Sequence, residues 1–148
     1  MAKQASPIET LCGLAQKDLD KAAIQLGDVR RAQKQADEQL VMLLNYQDDY
    51  RKTLNDTMAS GIASTRWHNY HQFIETLERA IDQHRQQLNH WNGRLDTALR
   101  LWREKQQRLH AYETLQARAV ANELLVENRL DQKRMDEFAQ RASLRKGE

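Results

Sequence analysis

The sequence predicts an all-α protein: a long antiparallel two-helix coiled-coil hairpin with an overhanging C-terminal helix. Three observations carry this. Ala, Glu, Lys, Leu and Arg make up 69 of the 148 residues, a composition that reads as long helix or coiled coil when a 3.5-residue period accompanies it. The one proline is Pro7, so residues 8–148 contain none of the residue that most reliably breaks helices. Apolar residues recur at alternating spacings of three and four in two long runs, separated by a single polar stretch. A sheet protein would need more β-branched and aromatic residues and regular turn signals.

The elements follow in order. Ser6-Pro7-Ile8-Glu9 has the form of a capping box with proline at the first helical position. The first seam then reads Ile8, Cys12, Ala15, Leu19, Ala22, Leu26, Val29, Gln33, Ala36, Leu40, Leu43, Gln47, Tyr50, Leu54, in which only Gln33 and Gln47 are polar. The run Asn55-Asp56-Thr57-Met58-Ala59-Ser60-Gly61 interrupts it and marks the connection, with Ser64 or Thr65 as the next N-cap. The second seam reads Trp67, Tyr70, Ile74, Leu77, Ile81, His84, Leu88, Trp91, Leu95, Ala98, Trp102, Lys105, Leu109, Tyr112, Gln116, Ala119, with only His84, Lys105 and Gln116 polar. Beyond Ala119 the register is lost, and the polar tail from Arg141 is expected to fray. The expectation is a single coiled-coil domain over residues 1–148, with helices at about 8–56 and 65–140 and a bend at about 57–64.

Two such helices joined by a short bend fold back on one another. Pairing about a centre near residue 60 sets partners whose numbers total about 121, so Ile8 falls opposite about residue 113. The second seam loses its register close to where its partner runs out, and that agreement favours a hairpin over helices in separate molecules. At 1.5 Å per residue, the paired part is expected to span roughly 75 Å and the second helix roughly 120 Å, a rod without an enclosed pocket.

Function classes narrow accordingly. A mean hydropathy of −0.88 and the lack of a long apolar run argue against a transmembrane helix, and no apolar stretch follows Lys3 to make a secretory signal. With 23 basic and 21 acidic residues the net charge is +2. Basic residues such as Arg100, Arg103, Lys105 and Arg108 are offset by acids, so neither nucleic acid nor a lipid surface is the expected partner. The lone Cys12 cannot form an internal disulfide and reads as a small seam hydrophobe. No glycine-rich phosphate loop is present, since Gly61 is followed by Ile62-Ala63-Ser64. His68 and His71 are three apart and could share a helix face, but have no Cys partner nearby. No nucleophile–base arrangement is legible, so the expectation is a protein that is not an enzyme and takes no cofactor or metal.

One pattern exceeds coiled-coil housekeeping. Beside each seam runs a second row, and row plus seam give Gln39, Leu43, Tyr46, Tyr50 on the first helix and Phe73, Leu77, Ala80, His84 on the second, both with 4,3,4 spacing. Tyr46, Phe73 and Ala80 are apolar or aromatic outside the strict seam. Either the core widens locally near the bend, or an exposed face there docks a partner.

Several segments resemble the FliJ family of the flagellar type III export apparatus. They are Gly61-Ile62-Ala63-Ser64-Thr65-Arg66-Trp67, Tyr70, Gln72-Phe73-Ile74, Thr76-Leu77-Glu78 and Ala80-Ile81, with Leu43, Asn45-Tyr46-Gln47 and Tyr50-Arg51 upstream. Trp102-Arg103-Glu104-Lys105, Gln107-Arg108-Leu109, Glu127-Asn128-Arg129 and Met135-Asp136-Glu137-Phe138-Ala139-Gln140-Arg141 extend the resemblance along the chain. It implies a stalk similar to the central subunit of rotary ATPases, whose end carrying both termini enters the ring of the export ATPase FliI. It also implies binding of the export gate protein FlhA through Phe73, Leu77, Ala80 and His84, with Gln39, Leu43, Tyr46 and Tyr50 as a neighbouring exposed surface row. It implies escort of the export chaperones FlgN and FliT, and a cytoplasmic location peripheral to the inner membrane at the flagellar base, with membrane contact only through protein partners. The residues alone allow a second reading, a generic coiled-coil scaffold or chaperone-escort protein.

Overall fold

The computed structural model describes residues 6–61 and 63–147. They form two α-helices, α1 (Pro7–Ala59) and α2 (Ser64–Lys146), and no strand occurs among them. By contacts the chain divides into two compact units, Met1–Leu19 with Glu104–Glu148, and Asp20–Arg103.

α1 begins at the predicted cap. The Glu9 backbone N–H donates to Ser6 Oγ at 3.3 Å, and the Thr10 N–H donates to the Ser6 carbonyl at 3.1 Å. Its end lies three residues beyond the expected one. Within the polar run, Thr53 Oγ1 donates to the Asp49 carbonyl at 3.0 Å, Thr57 Oγ1 to Thr53 at 2.7 Å and Ser60 Oγ to Asp56 at 3.0 Å. Hydroxyls bonded back to i−4 carbonyls do not compete for turn geometry, so the helix continues through residues that read as a loop. It stops where Gly61 takes φ 84°, a left-handed conformation that costs an L-residue about 1–2 kcal/mol.

The bend is therefore shorter than the expected 57–64; Ile62 within it lies outside the described residues. The Trp67 N–H donates to the Ala63 carbonyl at 3.0 Å, which makes Ala63 the N-cap position instead of Ser64 or Thr65. At the other end, helix persists to Lys146 where fraying was expected. Ala, Leu, Arg and Lys at 142–146 are strong helix formers, and Arg145 and Lys146 complement the C-terminal dipole.

In the unit Asp20–Arg103 the two helices lie against each other as an antiparallel pair. Leu26, Val29 and Ala98 form one buried cluster, onto which Trp91, Leu95, Leu99 and Trp102 pack. Leu40, Leu77 and Ile81 form a second, flanked by Leu43, Leu44 and Leu88. Gln33 Nε2 donates to Asn92 Oδ1 across the pair at 3.1 Å, and Arg51 lies 3.6 Å from Glu78. Pairs of this kind, with Tyr50 against Phe73, total 123 to 129 in residue number, above the 121 expected. The longer α1 moves the centre of pairing by one to four residues toward α2, and the register moves with it.

In the other unit, Ile8 and Glu9 share a groove with Gln116 and Ala119, so the start of α1 lies opposite about residue 116 and not 113. Ala15 and Leu109 are its buried hydrophobics. Every residue from 117 to 147 is exposed, which is the overhang the seam predicted.

Among the described residues, all ten buried hydrophobics occupy seam positions: Ala15, Ala22, Leu26, Val29, Ala36, Leu40, Leu77, Ile81, Ala98 and Leu109. Trp67 departs from the expected seam packing. It stands in the first turn of α2, 42% exposed, with its ring stacked on His71 at 5.2 Å. A two-helix layer covers each seam residue from one side only, and among the described residues no side chain is fully enclosed.

Candidate protein-docking site

The two rows singled out by spacing meet in the unit Asp20–Arg103, near the bend. Phe73 is their centre. Its ring lies 4.5 Å from Tyr50 and 6.0 Å from Tyr46, the latter edge-on, and Tyr50 also touches Tyr70 at 5.4 Å. Tyr46 and Tyr50 stack at 6.4 Å, as i,i+4 neighbours on α1. The cluster exists because an off-seam aromatic on each helix leans over the seam tyrosines from the same side.

Burial sorts the eight residues. Tyr46 is 52% exposed and Phe73 38%, and Gln39 is exposed. Ala80 and His84 are half-buried. Leu77 is 6% exposed and packs with Leu40 and Ile81, so it belongs to the core. Leu43 and Tyr50 are half-buried as well, so the row Gln39, Leu43, Tyr46, Tyr50 is exposed only at alternate members. The physical reason is the 4,3,4 spacing itself: it straddles the seam, so Leu43, Tyr50 and Leu77 point at the partner helix while Gln39, Tyr46 and Phe73 point outward. The structure thus brings Tyr46 and Phe73 together at the surface and places Leu77 beneath them.

Two features were not foreseen. Met42, 70% exposed, borders a shallow groove of about 320 Å³ together with Gln39, Leu43, Tyr46 and His84. Its sequence signal is weak, a single methionine four residues before Tyr46. Tyr70 joins the ring cluster from the seam, three residues before Phe73, and that i,i+3 relation was available in the sequence.

Electrostatically the site is quiet. Burial raises the Tyr50 hydroxyl pKa above its ordinary value, with Tyr70 and Tyr46 adding to the effect, so Tyr50 is neutral at physiological pH. His84 Nδ1 is buried and has no hydrogen-bond partner in the protein. A buried polar atom left without a partner costs about 1–3 kcal/mol, whichever tautomer the ring adopts. Elsewhere, His71 Nε2 lies 3.3 Å from Glu75 Oε1 while its ring stacks on Trp67. No group of three or more His, Cys, Asp or Glu side chains suited to a metal ion occurs among the described residues.

Fold and surface together define a class: an α-helical protein of antiparallel coiled-coil build that displays an uncharged aromatic patch beside its bend. The family model described as Flagellar FliJ protein matches residues 4–148. Flagellar FliJ protein of Salmonella typhi is 59% identical over 145 residues, covering 98% of this chain and 99% of that protein. The Escherichia coli (strain K12) protein of the same description is also 59% identical, over 95% of this chain and 96% of its own. A more distant relative in Buchnera aphidicola subsp. Schizaphis graminum is 26% identical over 138 residues. The chain belongs to the flagellar FliJ family, and no helix of its described residues is long and apolar enough to cross a membrane.

Proposed function

We propose that this protein is a non-enzymatic stalk and adaptor of flagellar type III export. It binds the export ATPase FliI through the end carrying both termini and the export gate protein FlhA through the face near the bend. It escorts the chaperones FlgN and FliT, and works in the cytoplasm against the inner membrane at the flagellar base. The observation that supports this best is the patch of Tyr46 and Phe73, exposed and uncharged, on a family member whose coiled coil leaves it uncovered. Aromatic residues in such patches are the usual anchors of protein interfaces. Of the proposed gate row, Phe73 makes the contact, Ala80 and His84 line its edge, and Leu77 holds the backbone that presents them.

The test is a pull-down of the purified chain with FliI and with the cytoplasmic domain of FlhA, alongside motility of a deletion strain. Loss of neither motility nor secretion on deletion would sink the reading. Catalysis gives a second readout. The chain alone is expected to hydrolyse no ATP, having no phosphate-cradling loop. Added to FliI below the concentration at which the ring assembles, it is expected to raise hydrolysis, because a ligand that binds only the assembled form shifts the equilibrium toward it. An unchanged rate under those conditions would remove the coupling from the proposal.

A further inference from the structure

We propose that the gate-binding surface continues along one side of the Asp20–Arg103 unit as far as Leu101. There it takes a single amphipathic α-helix of the gate's cytoplasmic domain, which sets an apolar side chain against Met42 and a carboxylate against Arg94. The inference rests on the gate reading above and adds to it the form of the partner and the residues that hold it. Two contacts define the sides of the helix pair: Tyr46 meets Phe73 on one, and Arg51 meets Glu78 on the other. The rows that flank the seam on these two sides differ in charge. On the Tyr46 side, every seventh residue from Gln25 to Tyr46 and from Phe73 to Leu101 gives nine positions, of which only Arg94 is charged. On the other side, the rows from Arg30 to Arg51 and from Glu78 to Leu99 give eight positions, of which five are charged. The second composition is that of a solvated flank, whereas depletion of charge marks the centre of an interface.

Two grooves open on the uncharged side. Near the ring cluster, Met42 stands exposed beside Gln39, Tyr46 and His84, over the groove of about 320 Å³. Farther from the bend, Gln25, His90, Arg94 and Leu101 surround a second groove of about 420 Å³, with the buried Val29 and Ala98 as its floor. No carboxylate lines either groove, and the Arg94 guanidinium lies 5.5 Å over the Trp91 ring. The occupant therefore supplies the acid. A second copy of the chain does not, because within this stretch its own face carries only Asp28, which pairs with Arg31. The surface from Gln25 to Tyr46 runs roughly 32 Å, about six helical turns. A helix suits it because an extended segment would bring unpaired backbone N–H and C=O groups onto methionine, alanine and ring edges.

The test measures the affinity of the full chain for the purified cytoplasmic domain of FlhA by calorimetry, with thermal melting on the same samples. Arg94→Glu should weaken binding at least tenfold and Met42→Ala at least fivefold, both with unchanged melting, since both side chains are exposed. Arg94→Gln, which keeps a helix-forming side chain, should weaken it at least threefold. Arg85→Glu, on the charged side, should bind as the unaltered chain does. Full affinity in either Arg94→Glu or Met42→Ala overturns the proposal; if Phe73→Ala still loses binding, the gate reading stands without it. An unaltered chain that binds no FlhA removes the gate reading and this inference together. Equal losses in Arg85→Glu and Arg94→Glu overturn the inference too, because they single out neither side. Photo-crosslinkers at the exposed Gln25 and Gln39, 14 residues apart, give the form of the partner. They should capture one FlhA segment at two points about 14 residues apart, as a helix laid alongside requires. Points only about six residues apart, the reach of an extended strand over the same distance, overturn the helix. Crosslinks formed only between copies of this chain overturn the choice of occupant.

Discussion

Leu77→Ala should destabilise the helical pair by about 2–4 kcal/mol, seen as an early loss of helicity in thermal or urea melting. Leu77 is 6% exposed and shares its cluster with Leu40 and Ile81, so truncation removes apolar contact from both helices at once and leaves a gap. Leu43, Leu44 and Leu88 flank the cluster, but a two-helix layer has no second shell of core to collapse inward behind them. Leu77→Met, which conserves volume, should cost less than about 1.5 kcal/mol. If gate binding is lost in the alanine variant but kept in the methionine variant, Leu77 acts by supporting the surface. Normal melting of Leu77→Ala would show instead that its side chain is available to a partner.

Phe73→Ala should weaken binding to the export gate at least tenfold, a loss of about 1.4 kcal/mol, while leaving stimulation of the ATPase intact. The ring contacts with Tyr50 and Tyr46 mean that some stability goes with it, about 0.5–1.5 kcal/mol per aromatic pair beyond the buried area. The assay is therefore run well below the melting transition of the variant, established on the same sample. Phe73→Leu keeps an apolar body over Tyr50 and should recover most of the stability but little of the binding. Full gate affinity in a folded Phe73→Ala protein would remove Phe73 from the docking site.

The fold was legible because it depends on one periodicity. Among the described residues, the ten buried hydrophobics all fall on the two seams read from spacing alone, since a two-helix layer offers no other place to hide. The helix ends were less legible. Thr53, Thr57 and Ser60 carry the composition of a loop, and only their back-bonds to i−4 carbonyls reveal a helix. That local detail moved the bend and, through it, the register of every pair. For the site, Tyr46 and Phe73 were visible as apolar residues off the seam. The exposure of their companions Leu43 and Tyr50 was misjudged, because a spacing names the row but not which members the opposite helix covers. Met42 had no repeat to announce it.

The antiparallel pairing about Gly61 also orders events in time. The link from Tyr50 to Phe73 closes a loop of 23 residues, whereas that from Gln33 to Asn92 closes one of 59. Each contact further from the bend is cheap only once the nearer ones exist, since loop-closure entropy is then already spent. Assembly of the Asp20–Arg103 unit should thus proceed as a zipper from the turn outward. Conservative truncations at Leu40 or Ile81 should slow refolding, whereas truncation at Leu26 should chiefly speed unfolding, a contrast that chevron plots on the three variants would read directly. Equal partition between the two limbs at all three positions would rule the zipper out. The same geometry sets which end opens first: the seam farthest from Gly61 separates most readily, and the aromatic cluster beside the bend is the last to come apart.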